Sequence, residues 1–89
     1  MKVVILYRPK SEHSTPVETF IHDYQARHGN DKIEVVNIDD REGIAMVSLY
    51  DITQYPAILA LATDGTALAA WQGEQLPLID EVASYMLEH

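Results

Sequence analysis

Val3-Val4-Ile5-Leu6-Tyr7-Arg8-Pro9-Lys10-Ser11-Glu12-His13-Ser14-Thr15-Pro16-Val17-Glu18 decides how this chain folds. Lys2–Tyr7 is rich in β-branched residues and continuously apolar rather than alternating, the pattern of a central strand buried on both faces. A short polar loop follows, and a helix opens at Thr15. The Thr15 side chain is placed to cap, Pro16 occupies the first helical position, and Glu18 can reach back as in a capping box. Val17, Phe20, Ile21 and Tyr24 then form one apolar stripe, and Gly29 ends the helix. The tetrad Ser11-Glu12-His13-Ser14 therefore sits where a strand hands over to a helix.

Downstream, Ile33–Ile38 reads as a second strand. Asp39-Asp40-Arg41-Glu42 caps a second helix running to about Tyr50, with Ile44, Val47 and Met46 turned inward and Gly43 weakening it locally. Asp51-Ile52-Thr53-Gln54 connects to Tyr55-Pro56, and Ala57–Ala62 is a third strand. Asp64-Gly65 is a hairpin signal, followed by a fourth strand, Ala67–Trp71, that Gly73 breaks. Pro77 lies in the first turn of a last helix whose buried face is Leu78, Ile79, Val82 and Met86. The order is βαβαββα. Its first half needs a right-handed crossover between parallel strands, and its second is an antiparallel hairpin with a helix. An α/β domain follows, with a four-stranded mixed sheet flanked by three helices. It spans 1–86 as one domain, and Leu87-Glu88-His89 resembles the start of a purification tag.

The 89 residues include no cysteine, which removes disulfides, thiolate catalysis and cysteine metal sites. Net charge is −8, unevenly spread: all six Lys and Arg lie in the first 41 positions, and residues 42–89 carry seven acids and no Lys or Arg. Such a surface repels nucleic acid and anionic membranes, so neither is an expected partner. The acidic half reads either as a solvated face that aids solubility or as a docking face for a basic partner. There is no apolar run long enough to span a bilayer, and Val3–Tyr7 is too short for a signal-peptide core, so the expected location is cytoplasmic.

Leu6 through Thr15, Val36-Asn37-Ile38-Asp39, Tyr50 through Leu59, Asp64-Gly65 and Trp71-Gln72-Gly73 together resemble the thioredoxin-like superfamily over nearly the whole chain, in its shorter, glutaredoxin-sized form. The resemblance implies that Ser11 and Ser14 stand where the family has its Cys-x-x-Cys pair. Ile5 stands where thioredoxins hold a buried acid that assists proton transfer. It also implies a cis Tyr55-Pro56 bond facing the tetrad. A hydroxyl has a far higher pKa than a thiol and does not exchange with disulfides. Loss of both nucleophiles and of the acid points to a lineage without this chemistry, more than to an engineered replacement of cysteine by serine.

What the site retains is recognition. The helix start presents N–H groups and partial positive charge, Ser11 and Ser14 add hydroxyls, and His13 adds a titratable donor. The resemblance implies that the Tyr55 backbone pairs with an extended peptide or with glutathione. The expected function is a redox-inactive domain binding a peptide or protein segment through Ser11, Glu12, His13, Ser14, Tyr55 and Pro56, with no cofactor, metal or catalytic residue. One alternative is a glutathione-binding, transferase-like module using Ser11 or Tyr7. Against it, the chain lacks a helical second domain, and Asp64-Gly65 is not followed by the Glu-Ser pair. Another is a structural subunit that self-associates through its fourth strand, and the expected state is a monomer or a weak homodimer. A Ser-His hydrolase is disfavoured because adjacent residues at a helix start do not point at one another. Glu12 with His13, or Glu18 with His22, offers a metal only two ligands, and His28 complements the helix dipole. Tyr7, Tyr50, Tyr55 and Trp71 read either as core or as an aromatic contact surface.

Overall fold

The computed structural model describes residues 1–12 and 14–86. His13 and the tag-like 87–89 lie outside the described residues. Strand β1 (Lys2–Tyr7) leads into helix α1 (Ser14–Arg27), β2 (Ile33–Asn37), α2 (Arg41–Leu49), β3 (Ala57–Leu61), β4 (Ala67–Gln72) and α3 (Ile79–Ala83), which a 3₁₀ turn extends over Ser84–Met86. The sheet order is β2-β1-β3-β4. β1 runs parallel to β2, with Ile5 beside Val35, and antiparallel to β3, with Ile5 beside Ile58. β3 and β4 form the antiparallel hairpin, with a bulge at Ala60/Leu61.

The continuous apolar reading of β1 and β3 has a direct cause. Both are inner strands covered on both faces, and every β3 residue and Val3–Tyr7 of β1 are buried. On one face Val3, Ile5 and Ile58 meet Val17, Phe20 and Tyr24 of α1 and Val82 of α3. On the other, Val4, Leu6 and Leu59 meet Val36, Ile38 and Ile52, with Met46, Val47 and Tyr55 packed over them. No buried side-chain N or O among the described residues lacks a hydrogen-bond partner.

Several local expectations are corrected. Helix α1 begins at Ser14, so Thr15 is inside its first turn and is not the cap. Ile44 is 59% exposed rather than inward. The face of α2 that meets the sheet is set by Gly43, Met46 and Val47, and Ile44 lies about 100° round the helix from Gly43. Leu78 is 74% exposed rather than buried. It precedes α3 as an extended N-cap residue, so both it and Pro77 lie before the helix. Gly43 itself is buried, and its role is close packing against the end of β2.

One half-exposed charge cluster yields a measurable effect. Lys2 Nζ donates to Glu34 Oε2 at 2.6 Å, holding that carboxyl below the usual range. Glu42 faces Glu34. The hydrogen bond it can make to Glu34 when protonated, and Glu34's negative charge, hold it above its usual range. A raised carboxyl pKa means the folded state binds the proton more tightly than the unfolded chain. Ionised Glu42 therefore opposes folding above its folded pKa and ceases to do so once protonated. Glu42→Gln should raise the melting temperature at pH 7, and the gain should vanish near pH 3.5, as paired thermal melts at the two pH values would show.

Candidate functional site

The parallel strands β1 and β2 end together, and β3 begins on the other side of β1, so the chain leaves the sheet in opposite directions at this point. Crevices of α/β sheets form at such switch points, beyond the carboxyl ends of the strands. Two clamps shape the loop after β1. Arg8 donates from Nε and from a terminal guanidinium nitrogen to the two carboxylate oxygens of Asp39, at 3.0 and 3.2 Å, a fork-to-fork pair joining the ends of β1 and β2. Ile38 N–H donates to the Tyr7 carbonyl at 3.2 Å and extends the ladder by one residue. Lys10 then takes a left-handed φ of 63°, which turns the chain back. Ser11 Oγ donates to the Arg8 carbonyl, and Ser14 N–H donates to the Ser11 carbonyl at 3.1 Å, closing the turn into α1.

The facing wall is built from β4. The Gln72 side-chain oxygen accepts hydrogen bonds from the N–H groups of Thr53 and Gln54 at 2.9 and 3.2 Å. Gly73 N–H donates to the Pro56 carbonyl at 3.0 Å. Gly73 has φ of 106°, the left-handed backbone that favours glycine, while a Cβ there would meet only the movable end of the Gln54 side chain, at 2.9 Å. These bonds fix the segment ahead of β3. The Tyr55-Pro56 peptide bond is cis, Pro56 is buried and Tyr55 is half-buried. Among the described residues, the Tyr55 N–H and C=O make no backbone hydrogen bond.

Between the two walls lies a cavity of about 250 Å³ lined by Glu12, Pro16, Pro56 and Glu74. Of the six residues singled out in the sequence, Glu12 and Pro56 line it directly, and Tyr55 adjoins it through the peptide bond. Ser11 is turned back onto its own loop, Ser14 is the first residue of α1, and His13 lies outside the described residues. Glu74 and Pro16 were not anticipated as site residues. The signal for Glu74 was its place directly after Gly73, whose turn aims it at Pro56.

The aromatic residues do not gather here. Tyr7 is in the core, and burial, reinforced by the Glu18 carboxylate to which it hydrogen-bonds, pushes its phenol pKa up. Tyr50 donates to the Gly65 carbonyl at the hairpin, at 2.6 Å. Trp71 Nε1 donates to Glu81 at 2.8 Å and its ring meets Tyr85 edge-on. Of these four, Tyr55 adjoins the cleft, through its peptide bond to Pro56. No group of three or more metal-ligating side chains exists among the described residues, and no helix there is long and apolar enough to cross a membrane. A larger, open hollow of about 870 Å³, bordered by Met1, Thr63, Leu68 and Tyr85, lies at the opposite end of the sheet beneath the hairpin. Among the described residues its lining holds no His, Lys or Arg side chain beside the Ser84 hydroxyl, which donates to the Glu81 carbonyl.

No family model matches the sequence, and no curated protein is significantly similar to it. Solved structures do match. Thioredoxin 1 of Thermosipho africanus superposes with a TM-score of 0.68 at 15% identity, over 97% of this chain and 90% of that one. Thioredoxin O2 of Arabidopsis thaliana, in its oxidised state, gives 0.69 at 13% identity over 96% and 70%. The germline-specific thioredoxin Deadhead of Drosophila melanogaster gives 0.68 at 15% identity over 96% and 78%. The fold is thioredoxin-like. Identities this low establish the architecture and nothing about activity. Within this thioredoxin-like frame the absence of cysteine removes the thiolate on which disulfide exchange depends.

Proposed function

We propose that this chain is a redox-inactive thioredoxin-like domain that binds an extended peptide or protein segment in the cleft between residues 11–14 and Tyr55-Pro56. The observation that carries the reading is the pair of Tyr55 backbone groups beside a cavity shared by Glu12 and Pro56. A backbone N–H and C=O left without partners at a cleft are satisfied by water or by another backbone, and an incoming extended strand supplies both hydrogen bonds at once. The glutathione alternative has less support. The Ser11 hydroxyl already donates to Arg8 and the Tyr7 hydroxyl is engaged with Glu18, so neither is poised to stabilise a thiolate.

Two titrations followed by amide NMR test the proposal. Extended peptides should shift the Tyr55, Gly73 and Glu12 amides together, while glutathione at millimolar concentration leaves the Ser11, Ser14 and Tyr55 amides in place. An insulin-disulfide reduction assay should read blank. Shifts from glutathione alone, or turnover in the insulin assay, would replace this reading.

A further inference from the structure

We infer that the cleft continues into a second, apolar subsite, and that the full groove takes an extended segment carrying a Lys or Arg and, two residues away, a Leu-sized side chain. The inference rests on the peptide-binding reading above and adds the chemistry of the occupant. Pro16 is the link, since it lines the cleft cavity and also a neighbouring groove of about 400 Å³. That groove runs between α1 and residues 76–79. Its walls are largely apolar, with Phe20 on one side and Leu76, Pro77, Leu78 and Ile79 on the other, while Thr19, Asp23, Arg27 and Asp80 complete the lining. Leu78 stands 74% exposed at its margin, although the rest of the segment turns its apolar groups inward.

Charge selects the occupant. Glu12 and Glu74 flank the cleft end and Asp23 the groove, and none of these three carboxylates has a cationic partner among the described residues. Arg27, which also lines the groove, lies 3.9 Å from the Asp80 carboxylate, and the His28 ring nitrogen lies 3.1 Å from the same group. In the loop that carries Glu12, Arg8 is paired with Asp39, and Lys10 offsets one of the three carboxylates. A Lys or Arg side chain across the Glu12–Glu74 gap is attracted, and an acidic one is repelled.

Spacing follows from helix geometry. From Pro16 to Phe20 is four residues of α1, a rise of about 6 Å. An extended peptide covers that distance in about two residues, and side chains two apart point to the same face. A residue seated beside Pro56 therefore places the side chain two positions away over Phe20 and Leu78.

The test uses the full chain with four fluorescein-labelled peptides: Gly-Gly-Lys-Gly-Leu-Gly-Gly, its reversed order Gly-Gly-Leu-Gly-Lys-Gly-Gly, and two controls with Glu for Lys or Ser for Leu. Anisotropy should show one of the first two binding at least about tenfold tighter than either control, with amide shifts at both Tyr55 and Phe20. Leu78→Asp alters an exposed side chain, so the fold should survive. It should abolish the Phe20 shifts and erase the preference for Leu over Ser. Glu12→Lys with Glu74→Lys should invert the preference between Lys and Glu. Equal binding of all four peptides with shifts at Tyr55 alone would overturn this inference and leave the cleft reading standing. Shifts at neither place would overturn both. Dimerisation in sedimentation that Leu78→Asp abolishes would assign the groove to a second copy and overturn it as well.

Discussion

Gly43→Ala should destabilise the protein by about 2 kcal/mol or more, although the same change in an ordinary helix interior stabilises by roughly 0.5–1 kcal/mol. The sign reverses because α2 lies directly on the end of β2. A Cβ added at Gly43 would lie 2.1 Å from the Asn37 carbonyl oxygen and 2.9 Å from the Ile38 Cα. Both are backbone atoms, and Asn37 is tied into the ladder beside Tyr7, so neither can swing aside as a side chain would. Relief requires α2 to lift from the sheet, opening the layer where Met46 and Val47 cover Val36 and Leu59. Overpacking of this kind costs about 1–3 kcal/mol, and more where backbone must move. Urea denaturation of wild type and variant measures it directly. A variant as stable as wild type would mean that α2 does not lie against the Asn37 backbone at this distance.

Tyr24→Ala should cost about 3–5 kcal/mol, the range for removing a large buried aromatic side chain. Tyr24 is fully buried at the C-terminal end of the α1 stripe, with Phe20 and His28 ring centroids at 6.1 and 5.4 Å. Its hydroxyl donates to Asp31 Oδ2 at 2.7 Å, tying the end of α1 to the turn before β2. A domain of this size stands at the low end of the usual 5–15 kcal/mol, so the alanine variant should be largely unfolded at 37 °C by circular dichroism. Tyr24→Phe keeps the ring and separates the two contributions. It should cost about 1–2 kcal/mol through the lost hydrogen bond.

The phenylalanine variant also carries a pH signature. Burial first, then the hydrogen bond and charge of Asp31, push the Tyr24 phenol well above its ordinary value. The folded state therefore holds this proton after the unfolded chain releases it. The associated stability is complete below pH 10 and is lost as pH rises above it, at up to about 1.4 kcal/mol per pH unit. Wild type should thus weaken more steeply than Tyr24→Phe between pH 10 and 11. Parallel slopes in urea titrations at those pH values would show that Tyr24 is not shielded as described.

The elements were legible because the sequence writes burial in periods. The unbroken run Val3–Tyr7 required an inner strand, and the spacing of Val17, Phe20 and Tyr24 required a helix over one face. Asp64-Gly65 required a turn, and Gly65 takes the positive φ, 90°, that the turn needs. The errors fell where periodicity is weakest. Ile44 is apolar and near the correct phase, yet exposed, because the phase of a short helix is set by what it docks against and not by its own composition, while Leu78 is exposed because it lies ahead of α3 in extended backbone. Gly43 looked like a flaw in a helix. Only the position of Asn37 turns it into a requirement.

For the candidate site, Glu12, Tyr55 and Pro56 could be named from sequence, but not their relation to Pro16 and Glu74, which meet only when the sheet is assembled. By itself the sequence determined the order of strands and helices, the acidic bias of the second half and the impossibility of thiol chemistry, since each is a property of local residue type and spacing. Tertiary structure alone decided which apolar residues stay in water, where glycine is obligatory and which carboxylates share a cleft. Those depend on distances between residues far apart in the chain, and no local pattern encodes them.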